Sequence, residues 1–168
     1  MKFENTVDSV VVQEREETAK KYPMKWYKFL IWFCLPAIAV GNVGQGIVYI
    51  TGLTYRALSL GDVSAEQVYA VFGSWLKAID VIFGITMFAL AVLGVFTWVM
   101  LKKHKRAGPV LLLCLYGFGG LVPYMYGMAC LDITGSISPM FLVGIAAGGG
   151  MVALNHAYFS KRSELFKN

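Results

Sequence analysis

Four long apolar blocks dominate this chain, and they constrain its fold more than any other feature. A helix that crosses the hydrocarbon core of a bilayer, roughly 30 Å thick, needs about 20 mostly apolar residues. The blocks therefore predict four membrane-spanning helices, at about residues 29–53, 75–101, 110–131 and 138–160. A transmembrane β-barrel would instead show segments of about ten residues in which apolar and polar side chains alternate.

The composition supports the same class of protein. The chain is 57% hydrophobic and 15% charged, whereas a soluble domain is about 45–50% apolar and about one quarter charged. A soluble globule of 168 residues has no core large enough to hide this much apolar surface. We therefore exclude an ordinary soluble domain and a disordered chain, and we predict an all-α integral membrane four-helix bundle.

The basic residues predict the orientation of this bundle. Thirteen of the 15 lysines and arginines lie before the first span, between the second and third, or after the fourth. The other two, Arg56 and Lys77, lie on the opposite side. Because basic residues accumulate on the cytoplasmic side of a membrane, both termini are expected inside the cell. The net charge of +5 thus indicates topology and an anionic bilayer surface, and no nucleic-acid partner is expected.

This topology divides the chain into three parts. Residues 1–24 are expected to form a cytoplasmic tail, residues 25–160 the membrane domain, and residues 161–168 a second cytoplasmic tail. The first apolar block is not expected to be a cleavable signal peptide, because a long segment of mixed charge precedes it.

The connection between the first two spans contains a helix-start signal. Ser64 and Gln67 have the spacing of a capping box, in which each side chain bonds the backbone of the other residue. A single helix from Ser64 to Leu101 would be much longer than one membrane crossing. We therefore expect a short interfacial helix that breaks from the second span near Gly73.

Four polar residues near the outer ends of the first two spans form the main candidate site: Asn42, Gln45, Lys77 and Asp80. At 1.5 Å per residue, Asn42 and Gln45 lie in the outer half of the first span, and Lys77 and Asp80 at the outer edge of the second. One interpretation is a polar vestibule for permeation. The other is interhelical hydrogen bonding by the two amides and an interfacial ion pair between Lys77 and Asp80.

Two further patterns concern helix contacts and the membrane interface. Gly144 and Gly148 form a GxxxG motif, which lets two helices approach closely, either inside the bundle or between subunits. Aromatic residues gather at the ends of the spans, and we interpret them as an interfacial belt. At the outer ends these include Tyr49, Tyr55, Tyr69 and Tyr126.

The chain carries no motif that points to an enzyme. The three cysteines form no C-x-x-C pair, and His156 has no second histidine or carboxylate near it in sequence. No nucleophile with a matching base, phosphate-binding loop or dinucleotide fingerprint is present. We therefore expect no catalytic residue, no metal and no cofactor.

Three segments resemble a known group of proteins: Met24 to Phe33, Val68 to Asp80, and Tyr158 to Asn168. Together they are similar to small, uncharacterised four-span membrane proteins of Gram-positive gut bacteria. The resemblance implies a multi-pass protein of the bacterial cytoplasmic membrane, and it implies no catalytic residue.

These observations lead to two hypotheses about function. The polar residues gather at the two ends of the spans, which favours a non-enzymatic membrane protein that associates with itself or with another membrane protein. The alternative is a small channel or transporter whose outer vestibule is the four-residue cluster. In both hypotheses the bilayer is the chain's immediate partner.

Overall fold

The computed structural model describes residues 24–58, 63–131, 135 and 138–166, and all regular secondary structure in them is helical. In chain order the helices are α1 (Lys25–Thr51), α2 (Leu53–Leu58), α3 (Ala65–Phe72), α4 (Ser74–Lys102), α5 (Ala107–Ala129) and α6 (Pro139–Ser160). A 3₁₀ turn, Ser163–Phe166, follows α6. Except for Met24, the expected N-terminal tail lies outside the described residues, as do the last two residues of the expected C-terminal tail.

Among the described residues, α1, α4, α5 and α6 are long and apolar enough to cross a membrane. The predicted all-helical fold with four such helices is thereby confirmed. The first helix begins at Lys25, earlier than the predicted residue 29, and ends at Thr51. It ends there because Gly52 adopts a left-handed conformation with φ of 68°.

Within α1, residues Leu30–Cys34 form one wide π-helical turn. Pro36 lies two residues after this turn and has no N–H to offer the carbonyl of Trp32. In a regular α-helix the proline ring would also clash with that carbonyl, and a wider turn relieves the clash.

The capping box is confirmed at the start of α3. The Gln67 backbone N–H donates to Ser64 Oγ at 3.3 Å, and the Ser64 backbone N–H donates to Gln67 Oε1 at 2.7 Å. The predicted break before the second span is also confirmed, because α3 and α4 are separated by Gly73. Its φ of 91° is a conformation that side-chain-bearing residues rarely adopt.

The long helices pack in chain order, α1 along α4, α4 along α5, and α5 along α6. Glycines let α1 approach α4 closely, and they let α5 approach α6 closely. A Cβ atom added to Gly84 of α4 would lie 2.9 Å from the Gly46 carbonyl oxygen of α1. A Cβ atom added to Gly148 of α6 would lie 2.9 Å from the Tyr116 carbonyl oxygen of α5. Each contact therefore requires a residue without a side chain.

We call the end of the bundle that holds Lys25, Lys102 and Ser160 the basal end, and the opposite end the distal end. At the basal end an aromatic cluster joins the 3₁₀ turn to the helices. Phe166 contacts the rings of Tyr27 and Phe159, with centroids 6.0 and 5.3 Å apart.

The first and last long helices meet in this same region. Trp26 Nε1 donates to Asn155 Oδ1 at 3.1 Å, and the Tyr27 backbone N–H donates to Tyr158 Oη at 3.3 Å. Asn155 is fully buried, and its own Nδ2 donates to the Met151 carbonyl at 2.8 Å. The basal end is therefore closed between α1 and α6.

Candidate functional site

A buried carboxylate organises the distal end of the bundle. Asp80 of α4 is only 1% exposed. Its Oδ1 accepts a hydrogen bond from Tyr126 of α5 at 2.7 Å. Its Oδ2 accepts from Tyr55 of α2 at 2.7 Å and from Tyr69 of α3 at 2.8 Å. These distances are those of well-formed O–H···O hydrogen bonds.

We call these four residues, Asp80, Tyr55, Tyr69 and Tyr126, the Asp80 clamp. An ionised carboxylate offers about four acceptor positions, and the tyrosines occupy three of them. A buried polar group is unfavourable unless it is hydrogen-bonded, and here three hydroxyls donate to the carboxyl group. The clamp also fastens α2 and α3 to the long helices, since each of its four residues belongs to a different element.

The clamp also affects the two tyrosines that lie outside the long helices. Burial, together with the hydrogen bond to Asp80 and its charge, raises the pKa of the Tyr55 and Tyr69 phenols well above the ordinary 10.0. Both side chains therefore remain protonated at neutral pH and can serve as donors.

The structure does not bring the four predicted site residues into one cluster. Lys77 is exposed, and no ion pair joins it to Asp80 among the residues that the structure describes. The expected interfacial pair is therefore not formed, because the Asp80 carboxylate is turned into the bundle toward the tyrosines. Asn42 and Gln45 line a different region, a cleft between α1 and α6.

Sequence reasoning missed the role of the three clamp tyrosines. They were expected in an interfacial belt, where an amphipathic ring is held by the membrane boundary. Their hydroxyls point inward instead. A usable signal was present, since a carboxylate at the end of an apolar helix needs donors and tyrosine hydroxyls are abundant at that depth.

The cleft between α1 and α6 has a volume of about 440 Å³ and lies midway along the long helices. Most of its lining is apolar or glycine, and its polar side chains are Asn42 and Gln45 of α1 and Tyr116 of α5. None of these three side chains makes a hydrogen bond with another described residue. The cleft thus combines an apolar surface with three polar groups that the described part of the bundle leaves unsatisfied.

Glycines keep the walls of the cleft wide. A Cβ atom added to Gly41, Gly119 or Gly144 would meet no atom within 4 Å. The two glycines of the predicted GxxxG motif therefore differ in role. Gly148 lies against α5 within the same chain, whereas the missing side chain of Gly144 leaves space in the cleft.

A second set of small residues lies on the outward face of α6. Of its 22 residues, those that are buried are Gly148, Asn155 and Phe159. The exposed small residues on the opposite face are Ala146, Gly149, Gly150, Ala153 and Ala157. We call this set the outer α6 face. Three of them, at positions 149, 153 and 157, follow one another at a spacing of four residues and so share one side of the helix.

Side chains that could bind a metal ion are dispersed in the described structure. In the part of the chain that the structure describes, no three His, Cys, Asp or Glu side chains are arranged to hold a metal ion. Cys34 lies in α1, Cys114 lies in α5, and Cys130 directly follows α5.

Comparison with known proteins finds no matching family model, no matching curated protein and no matching solved structure.

Proposed function

We propose that this chain is a non-enzymatic integral membrane protein that acts by associating with other membrane helices, above all with a second copy of itself. The contact surface in this proposal is the outer α6 face. Both termini lie on the cytoplasmic side of a bacterial cytoplasmic membrane, as the distribution of basic residues favours.

One observation carries the proposal, namely that α6 presents small residues outward while it packs along one long neighbour, α5, and meets α1 only at the basal end. Lipid chains are as apolar as leucine, so helices in a bilayer associate through close packing and hydrogen bonds rather than through the hydrophobic effect. Rows of small residues four positions apart let two helix backbones approach. Gly149, Ala153 and Ala157 form such a row, and nothing in the described chain covers it.

A second copy is the occupant that this surface fits best. The same row on two identical chains can pair about a two-fold axis, and most homo-oligomers use this kind of symmetry. The channel or transporter hypothesis receives less support from the geometry. Permeation through the four-residue cluster would need an accessible Asp80, and its carboxylate is occupied by three hydroxyl groups.

Energy transfer between labelled copies in liposomes, measured as protein density increases, tests the proposal. Ala153→Leu places a bulky side chain in the row and should weaken association about tenfold or more, which corresponds to about 1.4 kcal/mol. Ala89→Leu is the matched control, because Ala89 is also exposed but lies on α4. Random-collision levels of transfer in the wild type, or equal effects of the two substitutions, would contradict the proposal.

A further inference from the structure

We infer that the cleft between α1 and α6 binds a neutral lipid whose head carries a hydroxyl or carbonyl group on a hydrocarbon chain. This site is separate from the outer α6 face. The chain would therefore bind a lipid ligand in addition to a second copy of itself. The inference rests on the size of the cleft, its unsatisfied polar groups, its lack of charge and its opening.

The size of the cleft suits one small ligand group. Pockets that bind small molecules have volumes of about 300–1,000 Å³ and are mostly apolar, with a few polar groups that fix orientation. The cleft, at about 440 Å³, lies within this range, with Met87, Leu90 and Leu115 among its apolar residues. Its walls are already open at three glycines, so binding requires no displacement of side chains there.

The polar groups of the cleft define what the ligand must offer. Each carboxamide, on Asn42 and Gln45, has a donor NH₂ group and an acceptor oxygen, and the Tyr116 hydroxyl can donate or accept. Groups of this kind that remain unpaired in hydrocarbon are strongly unfavourable. Because they make no hydrogen bond within the described chain, a bound hydroxyl or carbonyl is the complement that would satisfy them.

The absence of charge from the lining restricts the ligand to a neutral head. The residues that line the cleft include no lysine, arginine, histidine, aspartate or glutamate. An ionised head would therefore be buried without a counter-charge, which is a costly arrangement in a medium of low dielectric constant.

The opening of the cleft indicates that the ligand arrives from the bilayer. The hydrogen bond between Trp26 and Asn155 closes the basal end. Beyond it, Gly41, Gly44 and Gln45 of α1 are exposed, and α6 packs along α5 rather than along α1. The cleft is thus open sideways, so that a hydrocarbon chain attached to the bound head can extend into the surrounding lipid.

Photolabelling in proteoliposomes tests this inference. The probe is a long-chain primary alcohol with a diazirine in its chain, and the labelled residues are mapped by mass spectrometry. We expect saturable labelling at residues that line the cleft, such as Met87 and Met151. The corresponding alkane, which lacks the hydroxyl, should label these residues about tenfold less, and the ionised carboxylate analogue should also label them weakly.

Substitutions separate this site from the outer α6 face. Gly144→Leu fills the cleft and should abolish labelling, whereas Gly149→Leu places the same side chain on the outer α6 face and should leave labelling unchanged. In the energy-transfer assay the two effects should be reversed. Asn42→Leu and Tyr116→Phe should each weaken binding about fivefold, the effect of one lost hydrogen bond of about 1 kcal/mol.

Two results would overturn the inference. Equal labelling by the alcohol and the alkane would show that the cleft merely accommodates hydrocarbon. Unchanged labelling in both Asn42→Leu and Tyr116→Phe would show that the polar groups recognise no head group. If Gly144→Leu fails to fold, as judged by circular dichroism, these two polar variants still decide the question.

Discussion

Removing one hydroxyl from the Asp80 clamp should destabilise the bundle by an amount that depends on which tyrosine loses it. Among the described residues, Oδ1 of Asp80 accepts from Tyr126, whereas Oδ2 accepts from both Tyr55 and Tyr69. Tyr126→Phe therefore leaves one carboxylate oxygen buried without a donor. Tyr69→Phe leaves Oδ2 with a remaining donor, so it should have the smaller effect.

The magnitude follows from the kind of hydrogen bond that is lost. A bond to a charged group contributes about 1.5–3 kcal/mol to stability, and a buried unpaired acceptor adds an unfavourable desolvation term. Phenylalanine keeps the ring of Tyr126, whose centroid lies 4.6 Å from that of Phe83 and 5.1 Å from that of Tyr49. The loss therefore belongs to the hydroxyl, and we expect about 2–3 kcal/mol for Tyr126→Phe and about 1–2 kcal/mol for Tyr69→Phe.

The free energy of unfolding in mixed detergent micelles, followed by circular dichroism, measures these effects. Tyr124→Phe is the matched control, because its hydroxyl makes no hydrogen bond with another described residue. It should change stability by less than about 0.5 kcal/mol. In an Asp80→Asn background, Tyr126→Phe should become less harmful by about 1–2 kcal/mol, the coupling between the two residues. The reasoning fails if Tyr126→Phe matches the control or if this coupling is absent.

Three further outcomes are expected from the same unfolding assay. Gly148→Ala should destabilise the bundle by about 1–3 kcal/mol, because its Cβ atom would press on the α5 backbone, whereas Gly149→Ala should have almost no effect; equal effects would contradict the proposed crossing. Trp26→Phe should lower stability by about 1 kcal/mol by removing the indole hydrogen bond to α6, and an unchanged value would show that this bond contributes nothing. Because the pKa values of Tyr55 and Tyr69 are raised on folding, their contribution to stability should persist below about pH 10 and decline at higher pH. The midpoint of thermal unfolding, measured alongside phenolate absorbance, should fall above about pH 10, and a constant midpoint there would refute the linkage.

Local chemistry in the sequence predicts the helices well. The apolar blocks indicate the four long helices, and Ser64, Gln67 and Gly73 indicate where α3 begins and ends. These features depend on residues close in sequence, since capping bonds and left-handed glycines act within one or two turns. The first long helix begins at Lys25, which lies outside the apolar block, so the start predicted at residue 29 was too late.

Long-range contacts explain why the site was harder to predict. Counting residues gives the depth of Asp80 along α4, but it does not say what lies beside it. Its partners Tyr55, Tyr69 and Tyr126 are 25, 11 and 46 residues away in sequence. The packing of α3 and α5 against α4, and of α2 against α1 and α3, is what brings them together, and no periodicity within one helix encodes that packing.

Glycine is usually required where the backbone is left-handed or where a neighbour leaves no room for a side chain, and neither reason applies to three glycines of the cleft. Gly41, Gly119 and Gly144 lie in regular helix, so no left-handed backbone requires them, and no described residue approaches closely enough to exclude a side chain. Glycine within a helix is unfavourable by roughly 0.5–1 kcal/mol relative to alanine. What these residues provide is open space on the walls of the cleft, next to the unsatisfied Asn42 and Gln45 amides. These amides make no hydrogen bond within the described part of the chain, and we therefore attribute the open space beside them to the proposed binding of a molecule from the bilayer.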